Sequence, residues 1–405
     1  MSRMSPLLSC LLTLAASVAS AAGDPDAPKP GQELVVEEIG HSQRPRVVDP
    51  TEDRVKRLKL PDGFRVQKFA EGLGTPRMLR IGDDGTVYVT RPDQGDVLTL
   101  RDEDGDGRAE KRGTLVEDLD DVHDLAIVGD TVYFVTVEET YKAKREGDGI
   151  AGEPEKFLTG LPEGGRHPNR TIAQGPDGAL YVSIGSTCNC CVEPHPEAAS
   201  IIRFAPDGSD RKLFASGLRN TIGFDWHPQT NAMWGMDHNT DWLGDDFPPE
   251  ELNELAAGKD YGWPWVQGEG VFPAGIGYPK GFDRAAALKR STPPVLTLKA
   301  HSAPIQMVFY DGSKFPVEYR GDAFVAAHGS WNRKPPGGYE VVRISFENGR
   351  PVAFEPFLTG FLDAKGEETF GRPTGIAVAK DGSLLVGDDE TGVIYRIDYA
   401  GAATS

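Results

Sequence analysis

One short element recurs along this chain. Phe69-Ala70-Glu71-Gly72-Leu73 returns as Leu115-Val116-Glu117-Asp118-Leu119, Phe157-Leu158-Thr159-Gly160-Leu161, Phe214-Ala215-Ser216-Gly217-Leu218 and Phe357-Leu358-Thr359-Gly360-Phe361. The first four starts are 46, 42 and 57 residues apart. A period of about 40–50 residues that holds several β-rich runs is the signature of a propeller.

A second marker lies inside each period. A polar turn leads into a strand rich in Val, Tyr and Leu. The strands begin at Val87-Tyr88-Val89, Val132-Tyr133-Phe134, Leu180-Tyr181-Val182, Ala232-Met233-Trp234, Phe324-Val325 and Leu384-Leu385-Val386, which makes six units. A third strand often follows, as in Ile201-Ile202-Arg203-Phe204, and the recurring element is then the fourth, outer strand. No such element follows the sixth unit, and one copy, Phe64 to Leu73, precedes the first. These facts predict an all-β fold: a six-bladed β-propeller of four-stranded antiparallel blades, closed by the N-terminal strand, which hides two sheet edges. The stretch from Gly258 to Leu298 is long for a blade connection and reads as an insertion.

Composition supports this reading. Gly 48 and Pro 31 are spread along the chain, as many tight turns require. Residues 1–21 read as a secretory leader: Arg3, an apolar run from Pro6 to Val18, then Ala19-Ser20-Ala21. Export to the periplasm or the medium is expected. Residues 22–54 are Pro-rich and charged and read as a flexible lead-in, residues 55–400 as the propeller, and residues 401–405 as a tail. No later segment is long and apolar enough for a membrane helix. The net charge of −19 becomes −20 without the leader, which argues against nucleic acid or anionic lipid as a partner.

Beyond the leader, the cysteines are Cys188, Cys190 and Cys191. Export favours a disulfide with one thiol left over, and the pairing stays open. A c-type haem would need His after Cys191, where Val192 stands, and a zinc site lacks its second pair of ligands.

Between each outer strand and the next innermost strand lie Arg77, His123, His167 with Arg170, Arg219 with Asn220, His301, and Arg372. Turns are ordinarily Asp, Asn, Gly and Ser. Turns rich in Arg and His, in equivalent places around a ring, suggest a pocket for an anion with proton-transfer chemistry. Each one alone could be a surface turn residue or an ion-pair partner.

Several pieces then appear in a telling order. Arg166-His167-Pro168-Asn169-Arg170 leads into Gly175-Pro176-Asp177-Gly178-Ala179-Leu180-Tyr181-Val182. Gly217-Leu218-Arg219-Asn220, Asp237-His238-Asn239-Thr240-Asp241, Gly262-Trp263-Pro264, His328-Gly329-Ser330-Trp331-Asn332-Arg333 and Gly371-Arg372-Pro373-Thr374-Gly375 follow. Over roughly residues 60–398 the chain resembles the soluble pyrroloquinoline-quinone (PQQ) dependent glucose/sorbosone dehydrogenases, most of all the sorbosone branch. The resemblance implies PQQ and calcium as cofactors, a small sugar substrate, and an external electron acceptor, cytochrome or quinone. It implies His167 as general base, Arg219 and Asn220 at the reactive quinone carbonyl, and Arg372 and Arg333 at cofactor carboxylates. His123 would lie near another cofactor contact. Calcium would sit on backbone carbonyls at Asn239 and Thr240, where family members often carry Gly-Pro instead. An acidic protein must gather Arg side chains to hold three carboxylates, and a neutral His can take a hydroxyl proton near neutral pH.

Two acidic stretches stand apart. Asp102, Asp104 and Asp106 alternate as in a calcium loop, with Gly107 at the turn, but Gly113 holds the twelfth position. The loop binds a structural calcium or is a solvated hairpin turn. Gly244-Asp245-Asp246 with Glu250, Glu251 and Asn253 binds metal or solvates a loop. Two rival functions remain. A calcium-dependent hydrolase of the lactonase kind would need carboxylates converging at the channel. A non-catalytic propeller binding a protein or glycan would need none of this chemistry.

Overall fold

The computed structural model describes residues 28–147 and 149–401. The expected leader, residues 1–21, and the tail beyond residue 401 lie outside the described residues. Six antiparallel sheets form the blades, five of four strands and one extended by a fifth. The innermost strands are Leu79–Ile81, Asp124–Val128, Arg170–Gln174, Thr221–Trp226, Pro304–Phe309 and Pro373–Val378. In the sixth blade the outermost strand is Phe64–Ala70, paired antiparallel with Val393–Tyr399, Phe64 opposite Tyr399.

Strand alternation places side chains on both faces of each blade, and neighbouring blades pack these faces together. Tyr88, Val97 and Leu115 of the first blade meet Leu125, Val132 and Phe134 of the second. Phe324, Tyr339 and Phe357 of the fifth meet Ile376, Val386 and Tyr395 of the sixth. The core is therefore a ring of inter-blade seams. On the axis, Met78, Ile222 and Ile305 close the channel with at most 2% of their surface exposed.

The recurring glycine has a backbone reason. Gly72, Gly160, Gly217 and Gly360 have φ of +67°, +69°, +69° and +103°, the left-handed turn that carries the chain from an outer strand to the next blade. In the second copy Asp118 holds that place at φ 56°, a conformation Asp tolerates better than most residues. The fourth blade lacks the motif. Its outer strand is Leu296–Leu298, reached only after the insertion. That insertion adds Lys259–Asp260 in parallel to the outer strand of the third blade and carries the helix Arg284–Arg290.

The structure corrects the expected flexible lead-in over the described part of 22–54. The N–H groups of Gly31, Leu34, Val36, Ile39 and Gln43 bond to carbonyls of Val192, Cys190, Gly275, Trp242 and Trp331 at 2.7–3.0 Å. Arg46–Val47 then pairs in parallel with Glu368–Thr369. The segment is a strap around one rim of the ring. Backbone groups make these bonds, so its polar composition gave no sign of them.

Ala in left-handed backbone costs about 1–2 kcal/mol. A Cβ at Gly72 meets nothing within 4 Å, but at Gly217 it would lie 2.3 Å from Asp260 Oδ1 and 2.7 Å from the Gly262 nitrogen. Gly217→Ala should therefore lose at least about 1 kcal/mol more unfolding free energy than Gly72→Ala, as overpacking adds to the backbone strain. Denaturant titration of the two variants decides this, and equal losses would contradict it.

Candidate active site

Antiparallel strands deliver two sets of loops to one end of the ring: those entering the innermost strands, and those joining second to third strands. The first set holds Arg77, His123, His167, Arg219, Asn220, His301 and Arg372. The second holds Ser186, Asn189, His238, Asp241, His328, Arg333 and Asp389, and sequence reasoning overlooked most of its polar members. The apolar plug of Met78, Ile222 and Ile305 follows directly on the first set in the chain and forms a floor.

His167 and Arg219 lie close enough for the guanidinium charge to act on the imidazole. Burial first, and then Arg219, hold His167 well below its ordinary 6.5, so the ring is neutral near pH 7. Its Nδ1 lies 2.8 Å from the Ser186 carbonyl oxygen, which can only accept. The proton therefore sits on Nδ1, and Nε2 carries a free lone pair.

Arg219 is 2% exposed and firmly held. Its Nε donates to the Asn189 carbonyl at 2.8 Å, and its Nη2 donates to Asn189 Oδ1 at 2.8 Å and to Asp241 at 2.9 Å. Its Nη1 has only a long contact of 3.5 Å to the His238 carbonyl. That nitrogen keeps donor capacity for an incoming oxygen. Asp237 fixes the loop beneath by accepting from the backbone N–H groups of Arg219 and Asn220, both at 2.9 Å. Burial raises Asp237 to about 6. Asp388 plays the same part in the sixth blade, accepting from the Arg372 N–H at 2.8 Å, and burial raises it to about 7.

Across the ring, Arg77 pairs with Asp389 at 2.9 Å, and His328 bonds the same carboxylate at 2.7 Å. Burial opposes ionisation of Asp389, but His328, Arg77 and Arg372 outweigh it and hold the group below the usual carboxylate range. Arg372 donates to the Gly329 carbonyl at 2.8 Å and lies 3.7 Å from Glu390. These bonds leave N–H groups of Arg77 and Arg372 unengaged.

The other expected residues divide. His123 reaches the ring but has both nitrogens engaged, Nδ1 with the Arg170 carbonyl at 2.6 Å and Nε2 with Arg77 at 3.4 Å. Through the second contact it helps to place Arg77. His301 is likewise engaged at both nitrogens, by Gly244 at 2.8 Å and Asn332 at 3.1 Å. Arg333 bonds Asp246 and the carbonyls of Asp245 and Pro335, one contact from each nitrogen, which braces the loop and leaves two of its five N–H groups unengaged. Asn239 and Thr240 stand on the correct face. The Asn239 amide donates to Pro249 at 2.7 Å and Glu251 at 2.9 Å, and Thr240 Oγ1 receives Trp263 Nε1 at 3.3 Å. Their side chains are thus turned into the loop.

The two acidic stretches differ in their surroundings. Glu250, Glu251 and Asn253 are not a solvated loop but buried positions on the third strand of the fourth blade. Burial pushes Glu250 up to about 8 and Glu251 to about 7. Asp102, Asp104 and Asp106 gather with Glu110 on a third-to-fourth-strand hairpin at the opposite end of the blades. Asp102 there accepts from the N–H groups of Gly105 and Gly107 at 2.7 and 2.9 Å, and it borders a cavity of about 560 Å³ with Arg101, Asp381 and Arg396. That cavity lies away from the Arg/His face.

Cys188 and Cys191 form a disulfide, and Cys190 is a buried free thiol.

Fold and site together define a six-bladed propeller with a neutral imidazole and partly free guanidinium groups over a closed channel. The chain belongs to the TrAA12-like family, whose model matches residues 58–282 and 279–400. It is 29% identical over 364 residues to an uncharacterised protein of Borreliella burgdorferi, covering 86% of this chain and 92% of that one. It is 23% identical to a pyrroloquinoline quinone-dependent sugar dehydrogenase of Hypocrea jecorina, over 84% of this chain and 89% of the relative. The PQQ domain of pyranose dehydrogenase from Coprinopsis cinerea, in its holo form, superposes with a TM-score of 0.71 at 19% identity, covering 87% of this chain and 98% of that one. The Hypocrea jecorina relative and the Coprinopsis cinerea structure are named as PQQ-dependent enzymes of sugars, and the sorbosone branch is not singled out among them. No helix among the described residues is long and apolar enough to cross a membrane.

Because Arg219 disfavours the imidazolium, its loss should raise the His167 pKa. In ¹⁵N spectra of histidine-labelled protein, the His167 signal should stay that of a neutral ring from pH 8 down to its ordinary 6.5. In Arg219→Ala it should titrate at higher pH than in the parent. A downward move would refute the electrostatic assignment.

Proposed function

We propose that this protein oxidises an aldose or sugar aldehyde with PQQ and calcium, His167 serving as the general base. The observation that carries this reading is a half-buried, neutral His167 with a free Nε2 beside a fixed Arg219. The names of the relatives support the sugar and the cofactor.

The donor set suits the group. PQQ carries three carboxylates, and Arg77 and Arg372 offer unengaged N–H groups although each is also paired with an acid. When bound, PQQ supplies the two-electron acceptor for the substrate hydride. His167 Nε2 takes the substrate hydroxyl proton, and burial keeps this base unprotonated. Arg219 Nη1 donates to the oxygen on which negative charge develops, without reorienting, because Asn189 and Asp241 already hold the guanidinium. Asn220 stands beside it on the same loop. Met78, Ile222 and Ile305 give the site an apolar floor.

For calcium, the backbone carbonyls of Asn239 and Thr240 are the proposed ligands, their side chains being engaged within the loop. The Asp102–Asp106 loop takes no part in the reaction. An external acceptor, cytochrome or quinone, would reoxidise the enzyme, and residues 1–21 support export.

His167→Gln should retain PQQ binding and slow turnover by about 10²–10⁴-fold, the usual share of general base catalysis. Arg372→Ala should weaken PQQ binding and recover much of its rate at high PQQ. Titration with PQQ and calcium, followed by sugar-dependent dye reduction at saturating cofactor, separates the two. A His167→Gln enzyme at the parent rate would remove the base assignment. A parent that binds no PQQ would favour the non-catalytic propeller.

A further inference from the structure

We propose that the loop Cys188–Cys191, closed by its disulfide, positions both His167 and Arg219, with Ser186 and Asn189 as the positioning residues. The proposal rests on the dehydrogenase reading of these two side chains.

The loop reaches each of them through short bonds. Ser186 Oγ lies 2.8 Å from His167 Nδ1 and donates its own hydrogen to the Cys188 carbonyl at 2.8 Å. A hydroxyl whose hydrogen is engaged there can only accept from the imidazole. Both Ser186 oxygens thus face Nδ1 as acceptors and hold the proton on it, leaving Nε2 as the base. Were the Cys188 carbonyl to move, the hydroxyl could turn its hydrogen toward Nδ1 and compete for the other tautomer.

Arg219 depends on the next residue of the same loop. Asn189 accepts from its Nε and its Nη2, through the backbone carbonyl and Oδ1, both at 2.8 Å. The Asn189 amide also donates to the Asp241 carbonyl at 3.0 Å, and Oδ1 accepts from the Asp241 N–H at 2.9 Å. Asn189 thereby joins the third-blade loop to the fourth-blade loop that supplies the carboxylate partner of Arg219. Asn189 and Ser186 are 3% and 0% exposed, so no water substitutes readily for these bonds. The disulfide spans the segment whose carbonyls do this work. It packs with Ala199 and Trp263, while Cys190 anchors beneath Leu34 and Leu243.

The base and the oxyanion donor therefore share one covalently closed support. Opening it should disturb catalysis more than cofactor binding, because Arg77 and Arg372 lie on other blades.

The test uses the full exported chain, with PQQ and calcium added. A dithiol such as dithiothreitol passes two electrons to the disulfide. The S–S bond breaks, Cys188 and Cys191 each gain a proton, and the reagent ends as its cyclic disulfide. Thiol titration should then show two additional thiols per chain. The reduced protein and Asn189→Ala should each lose about 10- to 100-fold in kcat, the scale of a misplaced catalytic group. The PQQ dissociation constant should stay within about threefold. Reoxidation should restore the rate. In ¹⁵N spectra, His167 should be the Nδ1–H tautomer in the parent and shift toward a mixture in the reduced protein, where the Ser186 hydroxyl is freed from the Cys188 carbonyl, with His167→Gln identifying the signal. Unchanged kcat in both the reduced protein and Asn189→Ala, with the two thiols exposed, would overturn the proposal. So would an unchanged His167 tautomer in the reduced protein. Should the parent show no sugar oxidation, the dehydrogenase reading falls, and the imidazole spectra alone decide whether the loop orients His167.

Discussion

The pairing of Phe64–Ala70 with Val393–Tyr399 is the constraint on which the rest depends. Six blades around an axis form a closed surface only if the last contacts the first, and here one blade is built from both ends of the described chain. Closure covers edges that would otherwise present unpaired backbone groups. It also brings Arg77, early in the chain, against Asp389, near its end. A site drawn from every blade exists because the ring is shut.

Electrostatics at that face follow from burial more than from net charge. The protein is strongly acidic, yet Arg77, Arg219 and Arg372 cluster there, each with an acidic neighbour. Pairing lets Arg219 be buried and Arg77 and Arg372 half-buried, while Arg219 still presses His167 toward its neutral form. Asp237 and Asp388 hold the loops of Arg219 and Arg372 through backbone N–H groups, so two equivalent carboxylates shape two equivalent entries to the ring.

The disagreements between sequence and structure have physical reasons. Both ring nitrogens of His123 are bonded to neighbouring loops, whereas Arg333 keeps two N–H groups after its three contacts. Residue type marks a capacity for binding, and only the surroundings show whether it is still available. Glu250 and Glu251 read as metal ligands or part of a solvated loop and prove to be buried strand residues. The strap over 28–54 escaped notice because backbone bonds have no side-chain signature.

What the sequence by itself determined was the repeat: the number of blades, the left-handed glycine joint, and the placement of Arg and His at equivalent entries to the ring. These are legible because they arise from short-range periodicity and backbone sterics, which act within one blade. What only the tertiary structure decided was the company each residue keeps. Ser186 beside His167, Asn189 and Asp241 around Arg219, and His328 with Arg77 on Asp389 are contacts between loops far apart in the chain. The tautomer of His167 and its low proton affinity follow from those contacts and from burial, and neither has a local signature in the chain.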